Sequence, residues 1–329
     1  MILEIKDLCT SFYTEGGEVK AVNGISFTLE KGKTLGLVGE SGSGKSITSL
    51  SILRLLEGTT GKIIGGEVLF KGENLLEKSN RDMMQIRGNN ISMVFQEPMT
   101  SLNPTMTCGK QIAETLLTHQ SLTKAQAWEK AIEMLRLVGI PEPEKRVKLF
   151  PFELSGGMRQ RVMIAIALAC NPELLIADEP TTALDVTIQA QILDLMKNLQ
   201  KELGTSLIII THDLGVIAEM CDDVAVMYCG KIVEYADIRS LFTAPKHPYT
   251  IGLLNSIPSH EVDSDADLEI ISGTVPSPYE LPPGCLFAPR CPYAKDICHE
   301  ALPDLKDQGH GQVRCFIYES DQWQEGERP

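Results

Sequence analysis

One run of eight residues, Gly39-Glu40-Ser41-Gly42-Ser43-Gly44-Lys45-Ser46, constrains this chain more than any other. It reads G-x-x-x-x-G-K-S. The segment before it, Thr34 to Val38, is a short apolar run between Gly32 and Gly39, which suits a strand buried on both faces of a parallel sheet. After it, Ile47, Leu50, Leu53 and Leu56 recur at helical spacing, so a helix is expected from Lys45 onward. A strand, a tight glycine turn and a helix start together make an anion site. Glycines let backbone N–H groups approach a phosphate, and the helix N-terminus adds about half a positive charge. Lys45 can then reach the β- and γ-phosphates of a nucleotide, and the Ser46 hydroxyl can bind Mg2+. Gly39, Ser41, Gly42, Ser43, Gly44, Lys45 and Ser46 are therefore the first candidate ligands.

At 329 residues the chain has room for about two domains. No apolar run approaches the ~18 residues of a membrane span. The start, Met1 to Lys6, lacks the basic and long apolar regions of a signal peptide, so the expectation is a chain that stays in the cytosol. A net charge of -14 argues against extended contact with nucleic acid or anionic lipid, since both need a basic face. Five cysteines, Cys9, Cys108, Cys170, Cys221 and Cys229, are scattered and read as free thiols packed as small apolar groups. The other four lie close together near the C-terminus.

Residues 1 to 33 alternate apolar and polar positions around a turn at Glu15 to Glu18, which reads as an antiparallel β layer. Phe12 and Tyr13 sit there, and either ring could stack on a base or simply pack in the core. Short apolar runs return at Gly66 to Phe70 and Ile91 to Phe95, the second followed by Gln96, a metal ligand or a loop residue. From about 103 to 150 the pattern turns helical: Gln111 to His119, then Lys124 to Val138, with Thr123 as N-cap and Gly139 as stop. Leu154-Ser155-Gly156-Gly157-Met158 precedes a strongly apolar helix, Arg159 to Cys170, so Ser155 and its glycines could hold a second phosphate or cap the helix.

The second strong signal is Leu174 to Pro180, a buried strand with Asp178 and Glu179 at its C-terminal end, where open α/β sheets place their chemistry. Asp178 suits Mg2+ through its water shell, and Glu179 suits a general base. Thr182 to Asp185, a helix from Val186 to Leu203 and a strand from Ser206 to Ile210 ending in Thr211-His212-Asp213 complete the set. A single histidine at a strand end is by default structural.

Taken together and in this order, these segments resemble the ATP-binding subunit of ATP-binding-cassette transporters. The resemblance covers residues 1 to about 240. It implies a P-loop α/β core with an antiparallel β layer and an inserted helical subdomain at about 97–165. It makes Gln96 the Q-loop and Mg2+ ligand, and Leu154, Ser155, Gly156, Gly157 and Met158 the signature that covers a partner's ATP. Asp178 and Glu179 become Walker B, Asp185 the D-loop acid, and His212 the catalytic switch histidine. Phe12 best matches the adenine-stacking ring, with Tyr13 second. Two positions depart from the commonest pattern, Met158 where glutamine is usual and Thr182 where serine is usual; neither removes a phosphate donor or the base. The family mechanism is a head-to-tail dimer whose closure moves attached membrane subunits.

The tail, residues 241–329, looks like the C-terminal extension of dipeptide and oligopeptide importer ATPases, on the strength of Ala244 to Thr250, the proline-rich Pro276 to Gly284, and Cys285, Cys291, Cys298 and Cys315. That resemblance implies a [4Fe-4S] cluster on the four cysteines. Their spacing matches neither common ferredoxins nor zinc fingers, so zinc, recruiting His299 or His310, and free thiols stay open. Glu261 to Glu269 reads as an exposed acidic linker. The partners implied are two transmembrane permease subunits, a second cassette ATPase, more often different than identical, and indirectly an external binding protein, which would place the chain peripherally at the cytoplasmic face of the membrane. The rival class is a soluble cassette ATPase acting on the ribosome or nucleic acid, which the acidic balance and single cassette oppose; nickel, opine or glutathione import are rival substrates.

Overall fold

A computed structural model describes residues 1–182, 184–256, 271–309, 311–319 and 322–323. The expected acidic linker at Glu261 to Glu269, Ala183 of the D-loop and His310 lie outside the described residues. Contacts divide the chain into two interleaved units, one made of Glu4–Thr28, Leu35–Leu69 and Thr211–Pro329, the other of Met1–Leu3, Leu29–Thr34 and Phe70–Ile210.

The first unit carries the phosphate loop. Its strands Gly17–Leu29, Leu3–Thr14 and Gly61–Phe70 lie side by side in that order. Only Glu15 and Gly16 join the first two, a link short enough to require antiparallel pairing. Burial confirms the alternation: Ile25, Phe27 and Leu29 are buried while Ser26 and Thr28 between them are exposed. In the same unit Thr34–Val38 runs parallel to Asp223–Tyr228, with Leu35 opposite Asp223 and Val38 opposite Val226. Asp223–Tyr228 then turns back antiparallel on Lys231–Asp237 through Cys229 and Gly230, whose φ angles of 45° and 79° suit the tight turn that joins twisted strands. The tail joins this sheet, because Gly311–Val313 pairs antiparallel with Lys231–Asp237 and Lys306–Asp307 pairs with it in turn.

The second unit holds three parallel strands, Ile91–Val94, Leu174–Asp178 and Ser206–Thr211, every residue of which is buried. Near-continuous apolar runs are what a strand covered on both faces requires. The expected helices are present as Cys108–His119, Lys124–Leu137, Gly156–Leu168 and Val186–Leu203. Thr123 caps its helix in a reciprocal box with Gln126, and Gly139 stands just past the end at φ 73°.

Several boundaries differ from expectation, among them the helix expected from Gln111, which starts at Cys108, and the helix expected to reach Cys170, which ends at Leu168. The helix after the phosphate loop stops at Ile52, because Arg54 adopts a left-handed φ of 52°; Leu53 and Leu56 are buried in the turns that follow. The helix expected from Arg159 starts at Gly156, since Ser155 caps it and draws both glycines into the first turn. The strand expected from Gly66 begins at Gly61. Among the described residues no helix is long and apolar enough to cross a membrane.

Candidate nucleotide site

In the first unit the loop Gly39–Ser46 leaves the buried strand Thr34–Val38 and enters the helix Lys45–Ile52. Gly39 and Gly44 hold φ angles of 150° and 102°, and both are pressed against backbone: a Cβ would lie 2.1 Å from the Met227 carbonyl oxygen at Gly39 and 2.3 Å from that of Ala21 at Gly44. Only glycine fits both constraints. Gly44 is also the N-cap residue and supplies no side-chain cap, and a helix N-terminus reached through such a glycine turn suits an anion. Lys45, 6% exposed, donates from Nζ to the carbonyl oxygens of Gly39 at 2.7 Å and Glu40 at 2.9 Å, and to Ser43 Oγ at 3.4 Å. The ammonium is thereby held over the loop, where a phosphate would meet it.

Of the two candidate stacking rings, Phe12 is half-buried, and Gly61 beside it has no room for a Cβ, which would come within 2.8 Å of the Phe12 ring. Tyr13 is exposed, with the Lys62 ammonium 5.6 Å from its ring centroid. His212 follows the strand Ser206–Thr211 and is exposed; the next residue, Asp213, caps the helix Leu214–Met220 by accepting from the Gly215 and Val216 N–H groups.

In the second unit Asp178 closes the strand Leu174–Asp178 and is 5% exposed. Glu179, next in line, takes a left-handed φ of 45°, a conformation that costs a non-glycine residue of order 1 kcal/mol and that clusters at working sites. Its backbone N–H donates to the Ile210 carbonyl at 2.8 Å. Its carboxylate accepts from Gln96 Nε2 at 2.7 Å and from Thr182 Oγ1 at 2.9 Å, so two residues singled out from separate segments of sequence are bonded directly. Spacing alone did not reveal the Thr182 bond, and a serine at this position would offer the same hydroxyl.

Of the two readings of Ser155, the structure shows the cap. Its hydroxyl accepts from the Met158 N–H at 3.4 Å, and the side chain is exposed. Leu154 is buried, and Gly157 passes close to Ile188, where a Cβ would be 2.8 Å from its methyl group. Asp185 likewise caps the helix Val186–Leu203, accepting from the Ile188 N–H at 2.9 Å. Each capped helix presents its N-terminal turn beside the expected signature and D-loop residues.

The four tail cysteines converge. Cys285, Cys291, Cys298 and Cys315 line one cavity with His247, Phe287 and Trp323. The void measures about 10 Å3, room for roughly one water-sized sphere. Burial pushes the thiols of Cys291 and Cys315 up to about 12 and raises that of Cys285, so they remain protonated unless a cation displaces the protons. Cys298 and Cys315 pack with Ala288, Val313, Ile317 and Trp323 as part of a small core. The donor set is gathered, but among the described residues no group of three or more His, Cys, Asp or Glu is arranged to hold a metal ion. His299 is exposed and does not line the cavity.

Comparison with known proteins agrees with this geometry. Residues 22–182 match the family described as ABC transporter. A dimeric ATP-binding cassette in a post-hydrolysis state with ADP and Pi superposes with a TM-score of 0.65 at 28% identity, covering 72% of this chain and 99% of that one. The chain belongs to the ATP-binding-cassette family. Residues 233–298 match the oligopeptide/dipeptide transporter C-terminal region. The oligopeptide transport ATP-binding protein AppD of Bacillus subtilis is 54% identical over 97% of this chain and 98% of its own length. A probable peptide ABC transporter ATP-binding protein of Sinorhizobium fredii is 56% identical over 93% and 92%, and the OppD protein of Salmonella typhimurium is 52% identical over 96% and 93%. Within the family, its relatives are thus the ATP-binding proteins of peptide transport.

Proposed function

We propose that this chain is the ATP-hydrolysing subunit that drives import of dipeptides or oligopeptides through partner membrane subunits. The observation that carries this reading is a phosphate loop and a transporter-specific tail on one chain, with relatives above 50% identity across nearly its whole length. Gly39 to Ser46 take the triphosphate through backbone N–H groups and the Lys45 ammonium. Phe12 takes the adenine-stacking role, with Tyr13 as the second ring. Ser46 and Gln96 would hold Mg2+, with Asp178 acting through its water shell, and the metal supplies charge neutralisation on the phosphates. Glu179 is the general base toward the attacking water. Its bonds to Gln96 and Thr182 fix the carboxylate before substrate arrives, and His212 completes the hydrolytic set.

The signature Leu154 to Met158 serves ATP bound by a second cassette subunit, with Asp185 in the D-loop between them. The heterodimer is the preferred assembly, joined to two permease subunits and indirectly to an extracytoplasmic binding protein. The finer division of the chain places the cassette at 1–240, its helical subdomain at about 97–165 and the transporter tail at 241–329. A [4Fe-4S] cluster on Cys285, Cys291, Cys298 and Cys315 is supported by their shared cavity and requires the thiols to lose their protons and the cavity to widen. Iron and acid-labile sulfide assayed on anaerobically purified protein decide it: about four of each per chain supports the cluster, and neither removes it.

The function itself is tested by Glu179→Gln. ATP binding should persist while turnover falls by a factor of about 10²–10⁴. Unchanged turnover would remove Glu179 from its role. Purification from native membranes in mild detergent should bring two polytopic proteins and a second cassette ATPase; ribosomal partners without membrane proteins would favour the rival soluble class.

A further inference from the structure

The phosphate loop contains a negative charge of its own. Glu40 directly follows Gly39, and an uncompensated carboxylate in a loop built for a polyanion would repel it. Glu40 is compensated from the tail. Arg290 Nη1 lies 3.2 and 3.0 Å from the two carboxylate oxygens, and only 6% of the Arg290 side chain is exposed. The backbone N–H of Glu40 donates to Tyr249 Oη at 2.8 Å, and its carbonyl accepts from Lys45 Nζ. Every polar group of this one loop residue is therefore engaged, the carboxylate and the N–H by residues more than 200 positions later.

The two tail residues are themselves held rigidly. Arg290 donates from Nε to the Ser272 carbonyl at 3.1 Å, and its guanidinium lies 5.9 and 6.0 Å from the ring centroids of Tyr228 and Phe287. Tyr249 is fully buried, with its ring centroid 4.7 Å from that of Tyr228 and 5.4 Å from that of Phe287. His247 fixes the start of the helix Pro248–Asn255 by accepting the Tyr249 N–H at 3.1 Å on Nδ1, which places the phenol. A surface ion pair of this kind would contribute little. This one is enclosed on aromatic faces and ends on the loop.

On the reading of Gly39 to Ser46 as the ATP phosphate loop, we propose that Arg290 and Tyr249 are positioning residues of the ATP site. Arg290 cancels the Glu40 charge so that the loop presents a net positive field to the triphosphate. Tyr249 pins the Glu40 backbone and so the turn that carries Lys45. The transporter tail thereby sets the affinity of the cassette for ATP, and Arg290, one residue before Cys291, ties that affinity to the cysteine cavity.

The test is equilibrium ATP binding to the full-length chain by calorimetry, with thermal unfolding recorded alongside. Lys45→Ala first establishes the site: wild-type protein must bind ATP well above it, and equal affinities would overturn the loop reading and this inference together. Arg290→Gln, which keeps most of the stem, should weaken ATP about tenfold, and Arg290→Lys should recover part of the loss. The double variant Arg290→Gln with Glu40→Gln removes both charges and should bind ATP more tightly than Arg290→Gln alone, which a purely structural staple does not explain. Tyr249→Phe should weaken binding about threefold. Wild-type affinity in Arg290→Gln, or a double variant as weak as Arg290→Gln, overturns the proposal while leaving the loop reading in place.

Discussion

The phosphate loop and the cysteine-lined tail lie in the same unit, yet they hold their shapes by opposite means. The loop is shaped by its backbone: positive φ angles, glycines with no room for a Cβ, and a lysine folded over carbonyls five and six residues before it. The tail is shaped by side chains brought from far apart in sequence, such as Trp323 with its Nε1 donating to the Tyr293 carbonyl at 3.0 Å, and Cys315 packed with Ala288. At Gly39 and Gly44 the loop has no room for any side chain. A segment built from dispersed contacts loses stability in small steps.

Four measurements test that contrast. Gly44→Ala should abolish measurable ATP binding in equilibrium dialysis and lower the unfolding free energy by about 3 kcal/mol, since the new methyl meets the Ala21 carbonyl and the φ of 102° is strained. Lys45→Ala should cost about a hundredfold in ATP affinity, read by calorimetry, with the urea midpoint little changed. Cys298→Ala should leave the loop intact and lower stability by about 1 kcal/mol in urea titration, the loss of one buried sulfur from a small core. A hundredfold loss of ATP affinity in Cys298→Ala would erase the distinction between the two regions.

The smallest effect concerns pH. His247 is buried, and its pKa is lowered from 6.5 to about 3, first by burial and then by the nearby Arg314 charge. The neutral imidazole is the folded form. Below 6.5 the unfolded chain takes up a proton that the folded chain refuses, so this contribution to stability is fully present above 6.5 and lost progressively as pH falls toward 3. The thermal midpoint should therefore fall between pH 6.5 and 4, and His247→Gln should flatten part of that slope while lowering the midpoint at neutral pH. A slope identical in the variant would remove His247 as its source.

Much of the site was legible because its chemistry is local. The G-x-x-x-x-G-K-S spacing, the apolar run before Asp178 and Glu179, and Thr123 as a cap each depend on neighbours within a few residues, and backbone geometry repeats wherever that spacing occurs. Ser155 shows the limit of such reasoning: spacing allowed a phosphate ligand or a cap, and the bond to the Met158 N–H that makes it a cap is seen only in the structure. Thr182 shows another, because a hydroxyl three residues after a glutamate carries no sign in sequence that it will bond to it.

The loop, the strand-end carboxylates and the class of protein are written in local sequence, since they follow from short-range sterics and from which residue types can meet phosphate and Mg2+. The folded chain alone shows that Gln96 donates to Glu179, that four cysteines line one small cavity, and that Arg290 and Tyr249 close on Glu40. The hydrogen bonds among them join residues 83 to 250 positions apart. No local pattern encodes them, because they exist only once burial of the apolar strands and rings has folded the chain back on itself.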